Sequence, residues 1–389
     1  MSARHFRLRA SFFYAFLFIG LGIQMPFLPL WLADRGFDAA DIAIILAAQI
    51  AIRTLASPAG AFLADHGGRP VLIMRILACL CGLSYLALGA ASSFWAVLAI
   101  AVIASAFYSP IPSLAEAHAI DGSVKHGVDY GRLRVWGSLS FAAGTLASGA
   151  LLEIIGTSYV YLLLAAGQVL IVVGALALRD EPHRAVTERP HIRQAAGLLG
   201  NQLFLIFLAS VSLAQSSHAL LYGFGSLHWQ ALGHTESVIG LLWGLGVAGE
   251  IVLFFFSGRI VRVVTPQTIM VLGAAGGFVR WAIDASDPPL VLLGFSQLLH
   301  AASFALTHLG TMLYIRQTVP SQFRNTAQGL YSAFSGGLVM MVATSAAGPL
   351  YAALAGKAYL AMAAMSLAAI AFALMLRRLS PTALAGQGP

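Results

Sequence analysis

Arg280 stands inside IMVLGAAGGFVRWAI (269–283), a run otherwise fit for lipid. At mid-bilayer a charged side chain costs about 2.5–3.5 kcal/mol even on a lenient insertion scale, whereas each Leu, Ile, Val or Phe returns roughly 0.3–0.6 kcal/mol. Ile269, Val271, Leu272, Phe278, Val279 and Ile283 together contribute about 2–3 kcal/mol, and Arg280 cancels nearly all of it. Such a helix is tenable only if its arginine faces protein or a water-filled cavity. The same holds for Glu250 in GLGVAGEIVLFFF, with Trp243 and Gly246 on its face at helical spacing, for Glu116 in IPSLAEAHAI and for Arg53 in AAQIAIRTLAS. His218 falls in AQSSHALLYGF with Tyr222 one turn on; His300 and His308 fall in QLLHAASFALTHLG, where Ser303 and Thr307 add hydroxyls. In DYGRLRVWGS (129–138) Arg132 and Arg134 lie two apart, the second beside Val135 and Trp136, where the apolar run is already beginning.

These residue types suit particular tasks. A guanidinium fork matches a carboxylate. Tyr222, Trp136, Trp243 and Trp281 can pack an aromatic ring. A buried glutamate or histidine can carry a proton. Plainer roles stay open: Glu116 and Arg134 can neutralise each other across a hairpin, Arg53 can cap carbonyls at a kink near Pro58, and His308 can be a structural hydrogen-bonder. Other chemistries lack their residues. There is no serine elbow, no metal-spaced histidine set and no G-x-x-x-x-G-K phosphate cradle. His300 and His308 diverge by about 80° on a helix, and Cys79 and Cys81 by about 200°, so neither pair suits a metal or a disulfide. The chain is therefore read as no enzyme, with no cofactor and no metal. Transport by it would draw on a gradient rather than on ATP.

Which elements can hold such residues? The chain is 59% hydrophobic and 10% charged, with mean hydropathy +0.83. A water-soluble domain carries about 25% charged residues, so lipid must be the main solvent here. The net charge of +7 is spread over short loops rather than gathered on one face, which argues against a nucleic-acid partner. Crossing a bilayer takes roughly 20 apolar residues. Spans are predicted at 11–32, 42–64, 71–90, 94–115, 134–156, 158–178, 203–224, 238–257, 266–285, 289–314, 327–352 and 358–376. The N-terminal MSARHFRLRASFFYAFLFIGLG starts like a leader, but the apolar run continues through MPFLPLWLA and reads as a retained first span. RDEPHRAVTERPHIRQ (179–194) divides the spans six and six, giving a bundle over 1–178, a cytoplasmic linker over 179–202 and a second bundle over 203–389. With both termini cytoplasmic, only Arg35 and Lys357 lie outside and Arg53, Arg134 and Arg280 on neither side; every other Lys and Arg is inside. That asymmetry predicts a multi-pass protein of a bacterial inner membrane.

The even split resembles the major facilitator superfamily. That resemblance implies an all-α integral membrane fold of twelve transmembrane helices, two six-helix bundles with pseudo-twofold symmetry, and a substrate site near the midplane between halves. ADHGGR (64–69) resembles the superfamily's signature after helix two, keeping Leu63, Ala64, Asp65, Gly68 and Arg69, with His66 and Pro70 in place of basic residues and the leading glycine displaced to Gly60. It implies a gating loop made of Asp65, Gly68 and Arg69. EAHAIDGSVKHGVDYGRLRVWGS (116–138) is similar to the helix four–five region of lactose permease, implying that Glu116 and Arg134 bind substrate. Arg132 then stays at the interface while Arg134 reaches inward to meet Glu116 or a ligand. SHALLYGFGSLHWQALG (217–233), LLWGLGVAGEIVLFF (241–255), GFVRWAI (277–283) and LLHAASFALTHLGTMLYI (298–315) resemble the second half of the 3-phenylpropionate permease family. By that likeness Glu250, Arg280 and His300 take binding or coupling positions. Ser303 stands where lactose permease has its proton-carrying glutamate, and Gln297 where it has a lysine, so coupling must use Glu250, His300, Glu116 or His218.

The expected function is proton-coupled symport of a small aromatic or other organic carboxylate by a monomer. Glu116, Arg134, His218, Tyr222, Arg280, His300 and Gln24 would bind substrate; Glu250, His300 and Glu116 would couple protons. The alternative is a nucleoside or sugar symporter that reads its cargo through His218, Gln24, Glu116 and Ser303. Drug efflux and a scaffold role rank below both.

Overall fold

The structure, a computed structural model, describes residues 3–67, 69–179 and 197–380. Most of the expected linker therefore lies outside the described residues, whose regular structure is all helix with no strand. Ten stretches among them are long and apolar enough to cross a membrane. One of these, Ser321–Leu379, runs for 59 residues and is divided by the tight turn Ala355–Ala358 into two crossings. Pro266–Asp284 completes the expected twelve, although Gln267, Arg280 and Asp284 keep it from being apolar enough to count among the ten.

By their internal contacts the residues form two compact units. The first is Met1–Val186 with Tyr222–Val247. It holds α1 (Ala3–Asp34), α2 (Ala39–Gly67), α3 (Pro70–Ala90), α4 (Phe94–His126), α5 (Tyr130–Ile155) and α6 (Val160–Ala177). It also takes the hairpin end shared by α7 (Gln202–Ala231) and α8 (Glu236–Val263). Helix α1 lies along α5 and α6, and its crossing with α5 is tight: a Cβ at Gly22 would sit 2.6 Å from the Phe141 carbonyl oxygen. Phe6, Ala10, Tyr14, Ala119 and Leu133 form a buried cluster joining α1, α4 and α5. The α7–α8 hairpin meets α5 through bare backbone, since a Cβ at Gly240 would stand 2.4 Å from the Thr145 carbonyl oxygen. Glu153, in the last turn of α5, accepts hydrogen bonds from Thr235 and Ser237 at the start of α8.

The second unit is Thr187–Leu221 with Ala248–Pro389. It contains the remaining parts of α7 and α8 with α9 (Pro266–Asp284), α10 (Leu290–Thr318), α11 (324–354) and α12 (Tyr359–Leu379). Phe207 and Val211 of α7, Met270 of α9, Tyr314 of α10 and Leu376 of α12 belong to its apolar core. Three helices widen by a π-type stretch: α7 at Leu221–Gly225, α10 at Ala301–Leu306 and α11 at Ser332–Leu338. Such insertions gather at functional positions. Large apolar side chains face outward, with Phe255 of α8 82% exposed, as a lipid solvent requires.

Candidate functional site

In the first unit, Asp129 accepts a hydrogen bond from the Gly131 N–H at 2.8 Å and so caps the start of α5. That start fixes which way the two arginines point. Arg132 stays exposed, its Nε 3.8 Å from Asp129. Arg134 turns in, half-buried, with its guanidinium 4.4 Å from the centre of the Phe18 ring on α1. Gly137 leaves room for both: a Cβ there would meet Phe18 at 2.8 Å and Arg134 at 3.0 Å. Glu116 of α4 is occupied by phenols, since Tyr14 donates to Oε2 at 3.1 Å and Tyr130 donates to Oε1. Among the described residues no ion pair joins Arg134 to Glu116. The result is a carboxylate with a neutral phenol on each oxygen, and a half-buried cation lying on an aromatic face.

The second unit builds its site where α9 crosses α10. Thr265 and Pro266 start α9, and its glycines let α10 come close: a Cβ at Gly273 would lie 2.4 Å from Thr307 Oγ1, and one at Gly276 2.4 Å from the Ala302 Cβ. Arg280, 1% exposed, then reaches three acceptors on α10. It donates to His300 Nδ1 at 2.7 Å, to Gln297 Oε1 at 2.6 Å and to Ser303 Oγ at 3.4 Å. On its far side His300 meets Glu250 of α8, Nε2 to Oε1, at 2.8 Å. His218, fully buried, lies 3.1 Å from Ser303 Oγ through Nε2 and 3.0 Å from the Gln215 carbonyl through Nδ1. The indole of Trp281 lies under the Arg280 guanidinium and donates to Ser217.

The donors and acceptors decide the protonation pattern. A guanidinium only donates, so His300 Nδ1 must offer its lone pair, leaving the ring hydrogen on Nε2 to donate to Glu250. His300 is thus a neutral spacer, and the buried positive charge of Arg280 is answered by Glu250 through the ring. Glu250 and His300 are the partly accessible members, with side chains 16% and 12% exposed; Arg280 and His218 sit behind them.

The structure thus brings Arg280, His300, Glu250 and His218 into one cluster. Tyr222 belongs to the first unit, where it stacks on Trp243 at 6.1 Å. Gln24 is half-buried on α1 and Arg53 is exposed on α2. The Phe304 ring lies stacked between His300 and His308. For the gating loop, Gly68 and the side chain of Asp65 lie outside the described residues, and Arg69 is exposed just ahead of Pro70. Sequence reasoning missed Tyr14, Tyr130 and Phe18 in the first unit and Ser296 in the second. Tyr130 stood within the run quoted for Arg134; the α1 residues gave no comparable signal.

Comparison with known proteins finds the MFS_1 like family over residues 7–376. The chain is 30% identical over 354 residues to the probable 3-phenylpropionic acid transporter of Escherichia coli (strain K12), covering 91% of this chain and 93% of that protein. It is 28% identical to the maltose permease of Geobacillus stearothermophilus, covering 84% of this chain and 83% of that one. Among solved structures it is similar to nucleoside transporter NupG, with a TM-score of 0.80 at 16% identity, covering 96% of this chain and 98% of that one.

Proposed function

Because this chain belongs to the MFS_1 like family of major facilitator transporters, we propose that its cargo is a small aromatic or other organic carboxylate, carried with protons. It is a multi-pass membrane transporter and not an enzyme. The observation that carries the cargo reading is Arg134: half-buried, lying on Phe18 and joined to no acid among the described residues. A guanidinium fork of that kind takes a carboxylate, and the neighbouring ring takes an aromatic body. The likeness to a probable 3-phenylpropionic acid transporter supports the same class.

Proton coupling we assign to Glu250. His300 cannot accept a proton at Nδ1 without losing Arg280, whereas Glu250 can take one at its partly exposed edge. Symport requires that proton and substrate binding reinforce each other, whichever binds first. The arginine distribution supports an inner-membrane protein with both termini cytoplasmic; we infer that it works as a monomer by alternating access.

Purified protein in liposomes should accumulate 3-phenylpropionate when an inward proton gradient is imposed and lose it when an ionophore collapses the gradient. Arg134→Ala should abolish uptake and exchange alike. Glu250→Gln should stop accumulation yet keep counterflow. Undiminished uptake by both variants would remove this assignment. A second reading, a sugar or nucleoside cargo, draws on the identity to maltose permease and on the hydrogen-bonding set His218, Gln24, Glu116 and Ser303. It requires maltose or uridine, but not simple carboxylates, to compete for the site.

A further inference from the structure

Helix α9 ends in an acid that the coupling chain leaves unused. Asp284 is 2% exposed and lies one turn beyond Arg280. Its Oδ1 accepts a hydrogen bond from Ser296 Oγ of α10 at 2.5 Å, while Oδ2 is buried without a partner. The charged and titratable groups around it are Arg280 on its own helix, Asp287, whose N–H bonds the Asp284 carbonyl oxygen at 3.4 Å, and Tyr359 of α12, on which Asp287 and Tyr351 also act. Helix α10 presents the uncharged Ser296 and Gln297, and His300 and His218 stand beyond Arg280.

Ser296 has two acceptors for one hydrogen: Asp284 Oδ1, and the Leu293 carbonyl oxygen at 2.8 Å. Its oxygen also accepts from Gln297 Nε2 at 2.9 Å. When Asp284 is ionised, Ser296 donates to it. When Asp284 is protonated, the acid donates to Ser296 Oγ and the serine hydrogen turns to Leu293. Each state leaves the hydroxyl fully used. Two further facts favour a bound proton. The bare Oδ2 of a charged carboxylate costs more in a dry interior than that of a neutral acid. With His300 neutral, Arg280 is the cluster's cation and it faces two acids, Asp284 and Glu250.

We propose that Asp284 is a second proton-binding site, taking a proton from water at its end of α9, so that the carboxylate and hydronium become the acid and water, with Ser296 as a two-position switch. Hydrogen bonds continue from Ser296 through Gln297, Arg280 and His300 to Glu250. Arg280 keeps its charge throughout, so this chain transmits polarisation and moves no proton along itself. A role in transport rests on the proton-coupled reading above; the proton site itself does not.

Infrared difference spectra of the purified full chain in lipid, taken across a pH series, read the C=O stretch of protonated carboxyls directly. A titrating band present in the unaltered protein should vanish in Asp284→Asn and survive in Glu250→Gln. Ser296→Ala keeps the acid but removes its partner, so it should move that band to higher frequency; this variant decides the matter if Asp284→Asn does not fold. An Asp284→Asn spectrum with every titrating carboxyl band intact, or an unshifted band in Ser296→Ala, overturns the proposal. Uptake of 3-phenylpropionate by the same samples keeps the two readings apart. A lost band without uptake sinks the cargo and leaves the proton site, whereas uptake with unaltered bands does the reverse.

Discussion

His300 is held at both nitrogens, by a group that can only donate on one side and by a carboxylate on the other. Its replacement should therefore depend on which nitrogen is mimicked. Asn can place an amide oxygen where Nδ1 accepts from Arg280, whereas Phe leaves the guanidinium and Glu250 stranded. Leaving a buried hydrogen-bonding group without its partner costs about 1–3 kcal/mol and more where the group is charged, so His300→Phe should lower the unfolding temperature in detergent far more than His300→Asn. Equal losses would contradict the tautomer assigned here. Arg134 invites a subtler change, since lysine keeps the charge but loses the fork and the flat face on Phe18. Arg134→Lys should cut kcat/KM for 3-phenylpropionate transport by about tenfold, or roughly 1.4 kcal/mol. That Arg134 turns inward while Arg132 stays out was implied by the likeness of 116–138 to lactose permease, the ten residues around it having only raised the question. That Glu116 is held by Tyr14, 102 positions away, was not, because nothing local records which helix will lie opposite.

At the scale of helices, both clusters sit where a glycine removes the space a side chain would fill. The α9–α10 crossing depends on Gly273 and Gly276, which bring backbone and small side chains within reach and so set the Arg280 bonds. Gly276→Ala places one methyl against another at 2.4 Å, with little on either side able to give. Overpacking of this kind costs about 1–3 kcal/mol, to be read as a lowered unfolding temperature, and transport should fall with it. Apolar run length alone placed all twelve crossings close to where they lie, because each must satisfy its own backbone across the same thickness of lipid. The π-type stretch at Ala301–Leu306 was invisible by the same reasoning. One extra residue in a turn leaves composition unchanged, yet it alters the angular offset between His300 and Ser303, both partners of Arg280. Gln297 entered the sequence reading only as a departure from lactose permease, and Ser303 as that, as a hydroxyl near His300 and as a contact for a polar cargo; their use as acceptors for Arg280 required the fold.

For the molecule as a whole, each compact unit carries its own ionisable cluster, with Glu116 and Arg134 in the first and Glu250, Arg280, His300 and Asp284 in the second. The first has a cation in want of an anion and the second a buried chain of hydrogen bonds with an acid at its accessible end, a division that suits the proposed binding in one and the proposed coupling in the other. Helix α9 is the least lipophilic crossing, bearing Gln267, Arg280 and Asp284, all of them buried once the fold is complete. This bears on biogenesis. As it leaves the ribosome, α9 gains almost nothing by leaving the translocon for lipid, and it must wait there or at the interface until α10 and α12 arrive to receive its polar groups. A nascent chain truncated after α9 and fitted with a glycosylation reporter should insert that segment incompletely, and lengthening it through α12 should restore insertion. Arg280→Leu should rescue the short chain while ruining the finished transporter.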